Sequence, residues 1–521
     1  MYKNLKYLFI CSLFFAACSE DIEEDTSGVE SEVPVTAGTA NFSKYFALGN
    51  SLTAGYADGA LFRAGQSNSY PKLLSDQFAL AGGGDFKIPF MSDNLGGFSF
   101  GGNQVPQTGV RTYWNGCAPT PVSGISATVL GVSIAANGPY NNVGIPGAKC
   151  IDLVTSGYAS LSPYFGRIAT GLNQTVLEYA TSQSPTFFSL WIGNNDVLGY
   201  ALAGGDTNLA QITPSAGAVG IGFDSSYNAI VDGLTANGAK GVVGNIPFVT
   251  SIPNFTTVSV TPVAPYKYFT DTGEGAGCAV YPVSPNDVTT INTINASVLG
   301  PVKQILTAFG QGDRIQLLST TNSNPILIID ETLSDLSLQI TGAALASGNP
   351  QLIALAPFLG PTFGKARHTK VGDLIPLASS TAIATNAALP PGIPASLGVN
   401  GITYPLADRF VLIPSEIEEI RIATVAYNLT IKNTAEAKGL AFVDANAALN
   451  DVADGGVIFD NFHMTSDFVK GGAFGLDGVH PSARGQAYIA NKFIEAINAK
   501  YGSTLRKYKA QDFPLSYPAG L

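Results

Sequence analysis

The chain has 521 residues, with 27 Lys+Arg against 38 Asp+Glu for a formal net charge of −11, and only 12% of its residues are charged. Hydrophobic residues reach 45%, which is ample for a large core and excludes intrinsic disorder, a state of low hydrophobicity and high charge. The acidic balance without a basic run excludes nucleic-acid binding, which needs cationic side chains to displace phosphate counterions, and three histidines cannot supply a His-rich metal site.

The chain opens MYKNLKYLFICSLFFAAC, in which Lys3 and Lys6 precede an apolar stretch from Leu8 to Ala17. That stretch is too short to cross a bilayer as a helix, which needs about 20 residues, so residues 1–17 are expected to be a cleaved signal peptide. Ala16-Ala17-Cys18, behind Leu13 and Phe14, resembles a bacterial lipobox. The resemblance implies a lipid on Cys18 that anchors the protein to a membrane of the cell envelope. Residues 18–42 begin SEDIEEDTSGVESEV after the cysteine, acidic and free of aromatic side chains, and read as a solvated tether. An acidic run in that place resembles a surface-export signal of Bacteroidetes-type lipoproteins, which implies the outer membrane, with its outer face as the further expectation.

With Cys11 lost in the signal and Cys18 lipidated, Cys117, Cys150 and Cys278 remain. An odd count permits one bridge, and an envelope location allows it. The expected pair is Cys117–Cys150, a loop whose closure is worth about 3–4 kcal/mol by chain entropy. Pairing with Cys278, or three free thiols, stays open.

Residues 45–48 form a short apolar run closed by Gly49. Residues 186–192 (TFFSLWI) are β-branched and aromatic between Pro185 and Gly193, a buried strand by composition and length. Residues 240–246 and 440–444 repeat the pattern, each after a plausible helix. The clearest helix is expected from Ser415, with Ser415 and Glu418 as a capping box. Ile417, Ile420, Thr424, Tyr427 and Ile431 make its apolar face, and Gly439 sits where a left-handed residue ends it. A second helix is expected over residues 482–500 with Ile489, Phe493 and Ile497 on one face. Buried strands alternating with amphipathic helices predict an α/β fold, a parallel sheet with helices on both faces. Residues of about 82–140 and about 250–410 break the rhythm and are expected to be insertions on one core spanning 43–505, followed by a tail at 506–521. Within the second, 255–263 and 326–329 look β-rich.

Four short segments carry candidate chemistry: Gly49-Asn50-Ser51-Leu52, residues 142–147 (NVGIPG), Gly193-Asn194-Asn195-Asp196, and Asp477-Gly478-Val479-His480. In a parallel sheet, ligands collect outside the carboxyl ends of the strands, so one rim can gather all four. Ser51 needs a base, and His480 is the natural one. Asp477, three residues earlier, is placed to fix the imidazole tautomer. The backbone N–H groups of Ser51 and Gly147 and the side-chain amide of Asn195 can stabilise a developing oxyanion, with glycine at 147 permitting close backbone approach.

These segments, in this order, resemble the sequence blocks of the SGNH (GDSL-type) hydrolase family, and the extended GNSLTAGYADGALF opening is similar to its long Bacteroidetes-type lipoprotein form. The resemblance covers the core and not the two insertions. It implies a three-layer, flavodoxin-like α/β/α fold and a serine esterase or lipase acting through an acyl-enzyme. Ser51 would be the nucleophile, Asp477 and His480 complete the triad, and Gly147 and Asn195 join Ser51 in the oxyanion hole. The partner it implies is an ester substrate, a lipid or an acylated glycan; no HExxH, Walker A or Rossmann glycine fingerprint is present, so no metal or cofactor is expected. Asn50 departs from the family aspartate, removing a charge but keeping an amide oxygen that accepts. The alternative is a surface lipoprotein with a weak or vestigial site that binds glycan or protein.

Gly97-Phe98-Ser99-Phe100-Gly101 matches a G-x-S-x-G elbow, a motif with meaning only between a strand and a helix, and no such setting is expected there. Asp196 and Asp444 are expected to be structural, Asp196 as a helix cap, and His368 and His463 to be surface or loop residues.

Overall fold

Alternation of side chains above and below a pleated strand decides how this core is layered. In β1 (Tyr45–Gly49), Phe46 and Leu48 point into one hydrophobic cluster while Tyr45 and Ala47 point into another. The same division runs through β3 (Phe187–Trp191): Phe188 and Leu190 face one way, Phe187 and Trp191 the other. With β2 (Asn142–Gly144), β4 (Lys240–Gly244) and β5 (Ala441–Val443), these strands form a five-stranded sheet in the order β5-β4-β3-β1-β2. All four pairings are parallel, with Phe46 opposite Phe188 and Ala47 opposite Asn142. A sheet wet on one side would show one polar face; this one is covered on both.

The computed structural model describes residues 34–263 and 288–521. The signal segment, Cys11, Cys18, the acidic run and Cys278 lie outside them. On one face lie α2 (Asn195–Leu202), α3 (Phe223–Thr235) and α4 (Pro414–Ala437). On the other lies α6 (Ala483–Tyr501), whose Phe493 and Ile497 are buried as expected. The short α1 (Ser51–Ala54) follows β1, and α5 (Ala445–Ala453) follows β5.

The expected face of α4 is buried at Ile420, Thr424, Tyr427 and Ile431, and Gly439 takes φ +64 at its end. Its capping box is not the expected one. Pro414 starts the helix one residue earlier, so Glu416 becomes the residue that reaches back, accepting from Ile413 N at 2.8 Å. Glu418 pairs instead with Arg421 on the surface. Strand β2 went unpredicted because NVG carries no apolar run. Gly144 belongs there by contact, since a Cβ on it would meet Ala54 N of α1 at 2.2 Å.

Both insertions carry structure of their own. Residues 82–140 hold two hairpins, Phe98–Phe100 with Asn103–Val105 and Thr112–Trp114 with Pro119–Pro121. Residues 250–410 contain Ser337–Leu345 and Pro350–Phe363 as helices around a third hydrophobic cluster. Phe255 lies in a helical turn, Pro253–Thr256, and not in a strand; Leu327–Ile329 is a strand, antiparallel to Ala366–His368.

The expected boundaries were too narrow at both ends, because Val35–Leu521 is one compact unit. Phe42, assigned to the tether, is buried and stacks on Phe78 at 3.9 Å. In the tail, Phe513 and Tyr517 are buried, and Arg111 donates to the Pro518 and Ala519 carbonyls at 2.8 and 2.9 Å. The expected Cys117–Cys150 bridge is not formed. Cys150 is a buried free thiol, whereas Cys117 is disulfide-bonded. Among the described residues, no helix is long and apolar enough to cross a membrane.

Candidate active site

The sheet order places β1 between β2 and β3, so the chain turns away from β1 in opposite directions on its two sides. The crevice at such a switch point is where open parallel sheets bind ligands. Asn50 leaves β1 and caps α1: its Oδ1 accepts from Leu52 N at 3.0 Å and its Nδ2 donates to Asn194 Oδ1 at 3.3 Å. Both ends of the Asn50 amide are therefore paired. Ser51 takes the first helical position, where a backbone N–H has no acceptor within its helix.

His480 arrives from the far end of the sequence. Its Nε2 lies 2.8 Å from Ser51 Oγ, and its Nδ1 lies 2.9 Å from Asp477 Oδ2. The loop that carries it is tied at several points: Gly475 N donates to His480 O at 2.8 Å and Asn254 N to Gly478 O at 2.9 Å. Asp477 accepts in addition from His480 N, Val479 N and Gly59 N, at 2.8, 2.9 and 3.0 Å. Burial pushes the Asp477 carboxyl up, but the His480 imidazole beside it and these hydrogen bonds outweigh it and hold it below the usual range. An ionised carboxylate only accepts, so His480 Nδ1 carries a proton toward it. Nε2 is left to accept from the Ser51 hydroxyl. This is an array able to take a proton from Ser51 and return it.

Asn195 opens α2, and its Nδ2 donates to the Ala148 carbonyl at 2.9 Å, which ties the segment after β3 to the segment after β2. Gly147 lies in that second segment with φ +83, and a Cβ there would meet nothing within 4 Å. The left-handed backbone there calls for glycine, and the space beside it is open. Asn50, Ser51, Asn195 and His480 line one cavity of about 110 Å³; Gly147 is not among its walls.

Several residues of the site had no signal in the sequence. Tyr56 lays its ring against the His480 imidazole, 4.5 Å between centroids. Asp58, with φ +49 and 1% exposed, accepts from Leu476 N at 2.7 Å, directly before Asp477. Burial pushes Asp58 up to about 7; the Leu476 bond and the Arg111 charge pull it down, and Asp477 pushes it up. The only hint of either residue was its place in the GNSLTAGYADGALF opening.

Asp196 is structural but caps no helix. It is fully buried, its Oδ2 accepts from Cys150 N at 2.8 Å, and burial pushes it up to about 7. Asp444 caps α5 through Ala447 N at 2.9 Å. His463 is exposed, as expected. His368 is not: only 3% exposed, it sits in the second insertion, accepts from Gln316 N at 3.0 Å, and burial pushes it down to about 4. Ser99 lies in a hairpin strand with no helix after it, so the elbow motif has no elbow.

Glu331, Asp408 and Glu416 bring carboxylate oxygens within 4.8 Å of one another. Burial pushes Glu416 up to about 8 and raises Asp408, so a proton on either relieves the repulsion there. None of the three lines the Ser51 cavity. Fold and site together define a mixed α/β protein with an all-parallel central sheet and a Ser–His–Asp array at its rim. No protein-family profile, curated protein or solved structure matches the chain.

Proposed function

We propose that this protein is a serine esterase of SGNH type that cleaves carboxylic esters through an acyl-enzyme. The observation that carries the reading is the unbroken Ser51–His480–Asp477 chain, with heavy-atom distances of 2.8 and 2.9 Å. Spatial order β2-β1-β3-β4-β5 and the switch-point location support a flavodoxin-like SGNH core. Ser51 Oγ attacks the acyl carbon while its proton passes to His480 Nε2. The tetrahedral oxyanion is met by the N–H groups of Ser51 and Gly147 and by Asn195 Nδ2. His480 then gives the proton to the departing alcohol oxygen. Water, deprotonated by the same nitrogen, releases the acid and restores the serine. Asp477 stays ionised throughout and stabilises the imidazolium. Lipidation at Cys18 and an outer-membrane location belong to the same proposal and rest on the sequence alone.

A fluorophosphonate probe should modify the full-length protein once, at Ser51, because only an activated serine reacts readily. Ser51→Ala should abolish both labelling and p-nitrophenyl ester turnover. Equal turnover by parent and variant would place the chemistry elsewhere.

A further inference from the structure

The cavity at Ser51 says what kind of ester fits, given the esterase reading on which this inference rests. Its walls are apolar away from the rim: Trp191, Phe493, the α5 side chains Ala448, Leu449 and Val452, and Ile489 of α6. Among the described residues that line it, the ionisable side chains apart from Tyr488 are His480 and Lys492. The Lys492 ammonium lies over the Tyr488 ring, 5.1 Å from its centroid, and 3.9 Å from Glu495.

The direction of the cavity follows from strand order. Gly147 follows β2 at one edge of the sheet, whereas the cavity walls at Pro247, Val443 and Ala448 follow or close β4 and β5 at the opposite edge. A carbonyl oxygen turned toward Gly147 and Asn195 leaves the rest of the ester to run the other way. A sugar or glycerol moiety in that space would leave its hydroxyls without partners; an aliphatic chain needs none.

We propose that this cavity is the acyl-chain subsite and that the substrates are esters of medium-length straight-chain fatty acids, not acetylated glycans. The volume of about 110 Å³ sets the length. A water-sized sphere fills about 10–15 Å³ on the same scale, so the space takes on the order of eight chain atoms.

The test is the acyl series of p-nitrophenyl esters from acetyl to palmitoyl, on the full-length protein. Each methylene that enters the cavity should raise kcat/KM by roughly fourfold until the space is full. Octanoyl, with six more methylenes, should exceed acetyl by on the order of 10³-fold, and palmitoyl should fall back. Ala448→Phe and, separately, Ile489→Phe place a ring in the cavity from α5 and from α6. Each should cut the octanoyl-to-acetyl ratio by about tenfold or more. Having two variants keeps the test decisive if one fails to fold, and the parent profile is decisive by itself. A parent that is fastest on acetyl, a ratio unmoved in a folded variant, or a preference that follows alcohol length at fixed acetyl would overturn the proposal. Ser51 labelling together with acetyl-only turnover would overturn the subsite and leave the esterase reading standing. No labelling and no turnover would bring down both.

Discussion

At the sheet rim, Asp477 faces an imidazole; in the second insertion, Asp330 and Asp373 face the guanidinium of Arg367. Both clusters are largely buried, with side-chain exposures of 14% and 16% at His480 and Asp477 and 5% or less around Arg367. Each carboxylate is given several donors. Arg367 spends Nε on Asp330 at 2.5 Å and both Nη groups on Asp373 at 2.7 and 2.8 Å, while Asp373 takes a further bond from Lys370 N. Thr332 and Arg367 hold Asp330 below the usual range although burial works to raise it. The two clusters differ in the cation. Guanidinium keeps its protons at any pH a protein survives, so the insertion cluster is a fixed clamp. Imidazole has two ring nitrogens, one able to donate while the other accepts, so the same arrangement at the rim joins Asp477 to Ser51 through His480.

The largest effect that would separate the two belongs to Asp477→Asn. The amide presents an N–H where His480 needs an acceptor, reversing the tautomer, and ester kcat should fall by about 10³–10⁴-fold with the fold intact. Single-turnover kinetics alongside a thermal melt would check this. A variant that melts early and keeps its kcat would make Asp477 a clamp like Asp373. Arg367→Met should do the reverse, leaving two buried carboxylates unpaired and costing about 3–5 kcal/mol of stability. Denaturant unfolding measures that loss, and Ser51 labelling well below the melt should persist if the clamp has no part in the relay.

Asp58 gives a smaller effect that sharpens the electrostatics of the rim. Its ordinary value is 3.8 and its folded value about 7. Between those values the folded state holds a proton that the unfolded chain has lost. The stabilisation is therefore present in full below about pH 4 and fades as pH rises through about 7. Asp58→Asn should then match the parent near pH 4 and be the more stable protein at pH 8, by up to about 4 kcal/mol. Melts across that range decide it, and a gap that stays constant with pH would mean that Asp58 ionises as readily folded as unfolded.

Much of this is legible in the sequence. Ser51, Asp477, His480 and Asn195 lie in short segments where chemistry and local geometry coincide. Four strands carry their own apolar signal, and Ser482 and Gly439 act at helix ends within a turn of where they stand. Such features are set by neighbours in the chain, so a linear reading reaches them. The α/β alternation belongs to the same class, because it needs only the period of the apolar residues.

What the sequence left open depended on partners far along the chain. Strand β2 exists because β1 and α1 give NVG somewhere to pair. Asp58 matters because residue 476 comes back to it, and the tail is part of the fold because Arg111 holds its carbonyls. His368 is buried among residues that meet only when the second insertion closes on itself, and the bonding of Cys117 was not set by its spacing from Cys150. Local propensity and motif chemistry are short-ranged, so the sequence by itself determined the helix–strand rhythm and the short segments that carry Ser51, Asp477 and His480. Burial and long-range pairing exist only after collapse, so the tertiary structure alone decided which carboxyls hold protons, which cysteine is free and where the apolar cavity lies.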